Sequence, residues 1–574
     1  MLILRGSSAL SRAELSFLLA LTLLCCWTAL SLLWTGTTTQ TALEIQRTAA
    51  YLAFAVTLAI VLRRDQIAAA LASVLAGITV LCTYGLATRL FPDRVTRYDP
   101  SGSYRLSEPT GYWNALALLA ALGSILAAGC AVRASRTVYR ALAAGAMPLV
   151  VATLYFTFGR GGWLALSIGL GCLLILDKHR LELIARLLPV LLWSAIAVWR
   201  SHEASALTTP DSSISAAASQ GRTLGWTFLA LCAAAFATSV VVDAGTRHLH
   251  VPVRVRAAFA VVLVAVAVGA VAGAVAAAGG PTEIARKARD SVQDRTPNVR
   301  GDQTGRLFSL SGNYRLEHWS AAIAAAREHP LLGMGAGTYE QWWLQEREVV
   351  FKVRDAHSLP LETAAELGLV GLLLLVAVFL VPIGFGIRAR GDPLVSVALA
   401  GVVAYLAHAS IDWDWEMPVL TVIALALATV VLMPSRRDAV PVPRAAARLL
   451  ILALFVVAAV SVVTLHGNRA LAEGWAAFNY DEGAAALRHA RTAARWAPWS
   501  SGPLQLEADI ALEAGDFAAA RGGYLKAIDK DARNWELWFG LALASDGAQR
   551  REALNHARRL NPLATPIEQL AGAP

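Results

Sequence analysis

Charge is scarce in this chain. Only 16% of its 574 residues are Asp, Glu, Lys or Arg, where a soluble domain carries roughly 25%. With 56% of residues hydrophobic, that shortage excludes a soluble multi-domain enzyme, a disordered chain and a fibrous repeat. Cysteine is scarce too: Cys25, Cys26, Cys82, Cys130, Cys172 and Cys232 all lie in apolar runs and none has zinc-like spacing with His. We read them as small core residues. No Cys follows residue 232, so the polar end of the chain has no disulfide framework. No Asp/Glu/His cluster stands at ligand spacing, so the sequence indicates neither a metal nor another cofactor.

Long apolar runs are abundant instead, and the mean hydropathy is +0.52. Roughly twenty apolar residues span a bilayer as a helix. The runs predict thirteen such helices, over 14–34, 46–62, 66–90, 112–132, 140–158, 162–177, 184–200, 223–243, 256–279, 360–387, 393–411, 418–434 and 448–466. The fold class is therefore all-α, a polytopic transmembrane protein. The first run follows Arg5 and Arg12 and lacks a small-x-small cleavage site, which marks an anchor rather than a signal peptide. We divide the chain into a membrane domain over 1–434, a Pro-rich cytoplasmic linker over 435–447, an additional membrane helix over 448–466 and a polar tail over 467–574.

The net charge of +9 does not come from the tail, which from His466 onward has 12 Lys+Arg against 13 Asp+Glu. The basic excess sits in the membrane part, where it reports topology rather than nucleic-acid binding. With the N-terminus in the cytoplasm, the inner loops and N-terminus hold 19 basic residues and the short outer loops hold 8. The odd helix count then puts both the long 280–356 loop and the C-terminal tail outside. The tail itself repeats at an offset of 34: Ala486, Ala490, Ala493 and Pro498 are followed by Ala520, Tyr524, Ala527 and Ala532. Those are the small, bulky and terminating positions of a tetratricopeptide repeat. Such helix pairs must stack to bury their faces. The tail is either a docking surface for an envelope protein or glycan, or a packing cap on the outer loop.

Several motifs could carry chemistry. His357-Ser358 is followed by nine residues and then Gly368-Leu-Val-Gly371. Upstream stand Asn313-Tyr-Arg315-Leu-Glu-His-Trp319, then Pro330-Leu-Leu-Gly333-Met-Gly335-Ala-Gly337. The glycine series lacks a Lys-Ser/Thr and a preceding strand, so it reads as a tight turn rather than a phosphate loop. Between the fifth and sixth predicted helices sits Phe158-Gly159-Arg160-Gly161-Gly162.

In these motifs the chain resembles the O-antigen ligase / O-antigen polymerase superfamily of bacterial envelope glycan enzymes, over about residues 14 to 434. The family signature of His, then Asn, Ser or Gln, nine residues and Gly-x-x-Gly is complete at His357. The Ser/Gly-Arg-Gly segment matches at Gly159-Arg160-Gly161, and the Arg ahead of the Pro-x-x-Gly-x-Gly turn matches at Arg315. The thirteenth helix and repeat tail depart from a plain twelve-helix ligase. The resemblance implies transfer of a glycan from undecaprenyl pyrophosphate to an acceptor hydroxyl, at the outer face of the bacterial inner or plasma membrane. Ligase, polymerase and protein O-oligosaccharyltransferase share this donor and differ in acceptor, which is a glycan, a lipid or a protein.

The leaving pyrophosphate needs fixed positive charge, and guanidinium groups fork onto phosphate oxygens. Arg160 and Arg315 are the candidates. A general base helps a hydroxyl attack, and His357 suits that work near neutral pH; the family's His has also been viewed as a substrate-positioning group. Arg347, Lys352 and Arg354 would add positive field. Each has a plainer rival: a helix cap for His357, an interface cation for Arg160, and a surface pair with Glu317 or Glu328 for Arg315. In His408-Ala-Ser-Ile-Asp412-Trp-Asp414-Trp-Glu416, Asp412 reads as a base or as a solvated acid in an aromatic belt, and His408 is an ionisable group inside a predicted helix. Tyr112, Trp113 and Asn114 stand at an outer helix start, where they could stack on sugar rings. A transporter is disfavoured because no inverted repeat is visible and the polar residues lie at the boundary rather than mid-bilayer. A non-catalytic scaffold presenting the tail is a further rival.

Overall fold

The computed structural model describes residues 9–95, 104–210, 212–246, 302–308, 312–438, 440–441 and 443–571, with scattered residues between 252 and 290. The described residues are almost wholly helical. In chain order the helices are α1 (Arg12–Leu30), α2 (Thr38–Val61), α3 (Ile67–Leu90), α4 (Trp113–Arg133), α5 (Thr137–Phe156), α6 (Arg160–Leu176), α7 (Arg180–Glu203), α8 (Ile214–Thr246), α9 (Arg315–Glu328), α10 (Tyr339–Glu346), α11 (Leu359–Arg388), α12 (Pro393–Ala409), α13 (Pro418–Leu432) and α14 (Arg444–Asn479). The tail adds α15 (Gly483–Trp496), α16 (Gly502–Glu513), α17 (Phe517–Ile528), α18 (Trp535–Leu543), α19 (Gly547–Leu560) and α20 (Thr565–Ala571). Among the described residues, ten helices are long and apolar enough to cross a bilayer, and α6 and α12 are shorter apolar helices. Twelve of the thirteen predicted spans thus coincide with described helices; the 256–279 span lies outside the described residues apart from scattered positions.

Helix starts differ where polar helix formers precede the apolar run. The first helix begins at Arg12, because Ser11 and Glu14 form a capping box ahead of it. The eighth begins at Ile214 rather than 223, as Ala216, Ala217 and Ala218 favour. The helix that holds the 448–466 span continues beyond it. α14 runs unbroken from Arg444 to Asn479, since no proline interrupts it and alanines carry it on. Of the six cysteines, Cys82 and Cys130 are buried, but Cys26 is exposed, so it is not a core residue of this chain by itself.

The chain forms two compact units. One comprises Val61–Leu316 and Leu380–Asp438. Its centre is α4, buried along its whole apolar length and packed by α3, α5, α6 and α12. Small side chains let neighbours approach it on every side, the usual device of helix packing in membranes. At the C-terminal end of α4, Arg133 grips Asp177 at 2.8 Å, while Asp243 pairs with Arg140 at 2.8 Å and accepts from Thr137 at 2.5 Å. Buried carboxylates are tolerated because each is paired. The opposite end, where α4, α6, α8 and α13 begin, carries the polar cluster described below.

The other unit comprises Met1–Ile60, Glu317–Phe379 and Ala439–Pro574. The glycine series is a tight turn: Gly333, Gly335 and Gly337 have φ of 70°, 106° and 75°, and buried Glu366 accepts from the amides of Gly337 and Tyr339 at 2.8 and 2.9 Å. Helix α11 is interrupted at Gly368, where φ is +65°. A Cβ there would sit 2.2 Å from the Leu331 carbonyl oxygen, so only glycine lets the two segments close. In the tail, consecutive helices pack on one another, burying Ala486, Ala490, Ala493, Ala520, Tyr524 and Ala527. Within this unit Arg347 donates to Asn561 at 2.9 Å, and the Thr38 amide donates to the Lys530 carbonyl at 3.1 Å.

Burial raises Asp531 to about 6, against the hydrogen bond from Ser501. Burial likewise raises Asp509 to about 6, against its bond from Tyr524. Such groups bind a proton more readily folded than unfolded. Their stabilising contribution is complete below the unfolded value of 3.8 and is lost as pH rises through about 6. Thermal unfolding of this unit is therefore expected to shift upward between pH 7.5 and pH 5. Asp531→Asn should raise the midpoint at pH 7.5, by at most about 3 kcal/mol of stability, and flatten the pH dependence. A lower midpoint for that variant at pH 7.5 would contradict the account.

Candidate functional site

The site in the first-described unit is built where short connections meet the helix ends. The loop before α4 and the turn between α5 and α6 each contain a residue in the left-handed region, Tyr104 with φ +51° and Phe158 with φ +48°. Non-glycine residues there cost about 1–3 kcal/mol and must be held by their surroundings. Here the Phe158 turn presents carbonyls to Arg105, whose Nε donates to Thr157 O at 2.9 Å and whose Nη2 donates to Phe158 O at 3.2 Å. The same nitrogen reaches Asn114 Oδ1 at 3.2 Å, and the guanidinium lies 4.5 Å from the Trp113 ring centroid.

Asp412 is the hub. It is fully buried. Its Oδ1 accepts from the Tyr112 hydroxyl and the Trp413 amide, both at 3.0 Å. Its Oδ2 accepts from Asn114 Nδ2 at 2.7 Å and Arg315 Nη2 at 3.0 Å. A carboxylate offers about four acceptor positions, and four donors fill them. That is the environment of an anchor, not of a base or a solvated acid. It also settles the partner of Arg315, which is Asp412 rather than Glu317 or Glu328.

Around this hub the cations crowd. Arg160 is the first residue of α6 and feels the like charges of Arg315 and Arg306. Arg306 lies in the short helical turn Gln303–Phe308. Burial, and next the charge of Arg306, push the Arg105 guanidinium down to about 9, with Arg160 adding to the effect. Burial, and next the charge of Asp412, raise the Tyr112 phenol well above its usual range, so it stays a neutral donor. Four guanidinium groups therefore repel one another at partly buried positions, a load that a bound anion relieves.

His408 and Asp414 form a second pair, both buried, with His408 Nδ1 and Asp414 Oδ2 2.7 Å apart. The ring fits because residue 161 is glycine: a Cβ there would lie 2.9 Å from His408 Nε2. The histidine thus seats the turn that carries Arg160.

His357, Lys352 and Arg354 belong to the other unit. His357 has φ +53°. Its carbonyl accepts from Trp319 Nε1 at 3.3 Å, and its Nδ1 lies 3.0 Å from the Asp355 carbonyl oxygen. A carbonyl only accepts, so Nδ1 carries the proton, and in the neutral ring Nε2 then carries the lone pair. The His318 ring stacks on His357 at 5.3 Å between centroids. Lys352 pairs with Glu340 at 2.7 Å, Arg354 donates to Gln40 at 2.8 Å, and Arg347 donates to the Val350 and Phe351 carbonyls and to Asn561. Arg347 is thus held in place by neutral acceptors.

Of the residues singled out in the sequence, Arg160, Arg315, Asn114, Asp412 and His408 come together in one unit. Arg105 and Arg306 join them and were not singled out. Arg105 precedes the Tyr-Trp-Asn run and reads as a topology charge, and Arg306 stands in a polar stretch with no motif around it.

Fold and cluster together define a multi-pass helical membrane protein with a partly buried cationic site. Residues 212–376 match the family described as O-antigen ligase. That segment includes Arg315, His357, Gly368 and Gly371, and the family points to a membrane glycosyltransferase-like role in polysaccharide biosynthesis. Among curated proteins none matches the chain.

Proposed function

We propose that the protein transfers an oligo- or polysaccharide from undecaprenyl pyrophosphate to an acceptor hydroxyl, at the extracytoplasmic face of the bacterial inner or plasma membrane. The observation that carries this reading is the hydrogen-bonded chain from Arg315 through Asp412 and Asn114 to Arg105, with Arg160 and Arg306 near enough to act on Arg315 and Arg105 through their charges. The four guanidinium charges outnumber the single Asp412 carboxylate bonded among them, and the positive surplus suits a diphosphate diester of about two negative charges. In the reaction the sugar C1–O bond to phosphate breaks, a new C1–O bond to the acceptor forms, and the diphosphate lipid leaves with the electron pair. Arg160 and Arg315 stabilise that departing charge. Asp412, with Tyr112 and Asn114, fixes Arg315. The acceptor proton goes to His357 Nε2, an assignment that rests on the signature motif and on the tautomer its Nδ1 contact selects. The tail, as a tetratricopeptide-like stack, serves as a docking surface for an envelope protein.

Undecaprenyl pyrophosphate added to the detergent-purified protein tests the cradle. It is expected to raise the melting midpoint of the wild type and to leave Arg160→Ala/Arg315→Ala unshifted. An equal shift in both proteins would overturn the reading.

A further inference from the structure

The cation cluster has an aromatic wall that the pyrophosphate does not use. Tyr112 and Trp413 rings lie 4.7 Å apart at 35°, and Tyr112 and Trp113 rings 5.4 Å apart at 47°. Both tryptophans are half-buried, so part of each remains open. The wall is tied to the anion site at two points. Tyr112 and the Trp413 amide both donate to Asp412, which holds Arg315, and Arg105 lies over Trp113 while its charge meets Arg306 and Arg160. Each ring is thereby held at the edge of the guanidinium cluster in a fixed attitude.

A pyranose presents an apolar face of C–H groups, and its hydroxyls point outward around the rim. An aromatic face is electron-rich and attracts such C–H groups, while the ring edge leaves the hydroxyls in water. Nothing about a bare diphosphate lipid calls for such a surface. Its tail wants bilayer, and its phosphates want guanidinium groups. The group that lies beside a diphosphate and has a flat apolar face is the sugar bonded to it. We propose that Trp413, with Trp113, forms the subsite for the sugar directly attached to the donor's diphosphate. Trp413 offers the stacking face, and the Tyr112–Asp412 bond sets its angle relative to Arg315. This inference rests on the diphosphate reading of the arginine cluster.

Two ligands separate the claims: undecaprenyl pyrophosphate alone and the same lipid carrying one sugar, each titrated against the full-length protein in nanodiscs with tryptophan fluorescence and melting midpoint as readouts. In the wild type the sugar-bearing lipid is expected to bind about tenfold more tightly. In Trp413→Ala that advantage should vanish while affinity for the bare diphosphate lipid is unchanged, and Trp413→Phe should restore most of it. Equal affinity for the two lipids in the wild type, or an advantage that survives in Trp413→Ala, overturns the sugar subsite and leaves the cradle standing. No binding of either lipid to the wild type overturns the cradle and the subsite with it. A general loss of affinity for both lipids in Trp413→Ala and Trp413→Phe alike marks a purely structural role and also overturns the subsite.

Discussion

Arg315→Ala is expected to lower glycan transfer by about a thousandfold, because a donor aimed at developing negative charge in a partly buried site contributes roughly 100- to 1,000-fold and Arg315 is also one of the cluster's fixed cations. The substitution has a second consequence. Asp412 is fully buried, and removing its cation leaves a charge whose remaining donors are neutral. Breaking a buried pair from one side costs about 3–5 kcal/mol, so the variant should also melt earlier. The two effects come apart in Arg315→Ala/Asp412→Asn, which is expected to recover much of the lost stability and none of the activity. Arg315→Lys keeps the charge but loses the fork, and should retain stability better than turnover. A double variant that regained transfer along with stability would show that Arg315 only holds the fold.

The second large effect falls on His357. His357→Ala should reduce turnover by about 100- to 10,000-fold, the range for removing a positioned general base. Binding of the diphosphate lipid should not change, since the arginine cluster supplies it. Added imidazole should restore part of the activity. A loss confined to the acceptor KM, with kcat kept, would instead assign His357 to holding the acceptor.

How far the sequence carries can be judged residue by residue. The apolar runs define the helices because a bilayer demands about twenty apolar residues per crossing whatever their neighbours do. The Gly333–Gly337 series announces a tight turn because glycine adopts positive φ without strain, whereas the interruption at Gly368 falls inside the span predicted as one helix over 360–387 and shows only in the structure. Arg160 and Arg315 were legible only through motifs. Arg306 and Arg105 had no local signal, since an arginine that comes near two others looks like any loop arginine along the chain.

The sequence by itself determined a multi-pass helical membrane protein, its turns and the histidine signature, because these depend on composition, spacing and backbone geometry within short windows. Only the tertiary structure decided that Asp412 is an anchor with every acceptor position filled, that Arg315 pairs with it rather than with a nearby glutamate, and that Tyr112 and two tryptophans line the same corner. Those assignments depend on residues 97 and 298 positions apart in the chain meeting at hydrogen-bond distance. Such meetings are set by helix packing, which leaves no mark in local sequence.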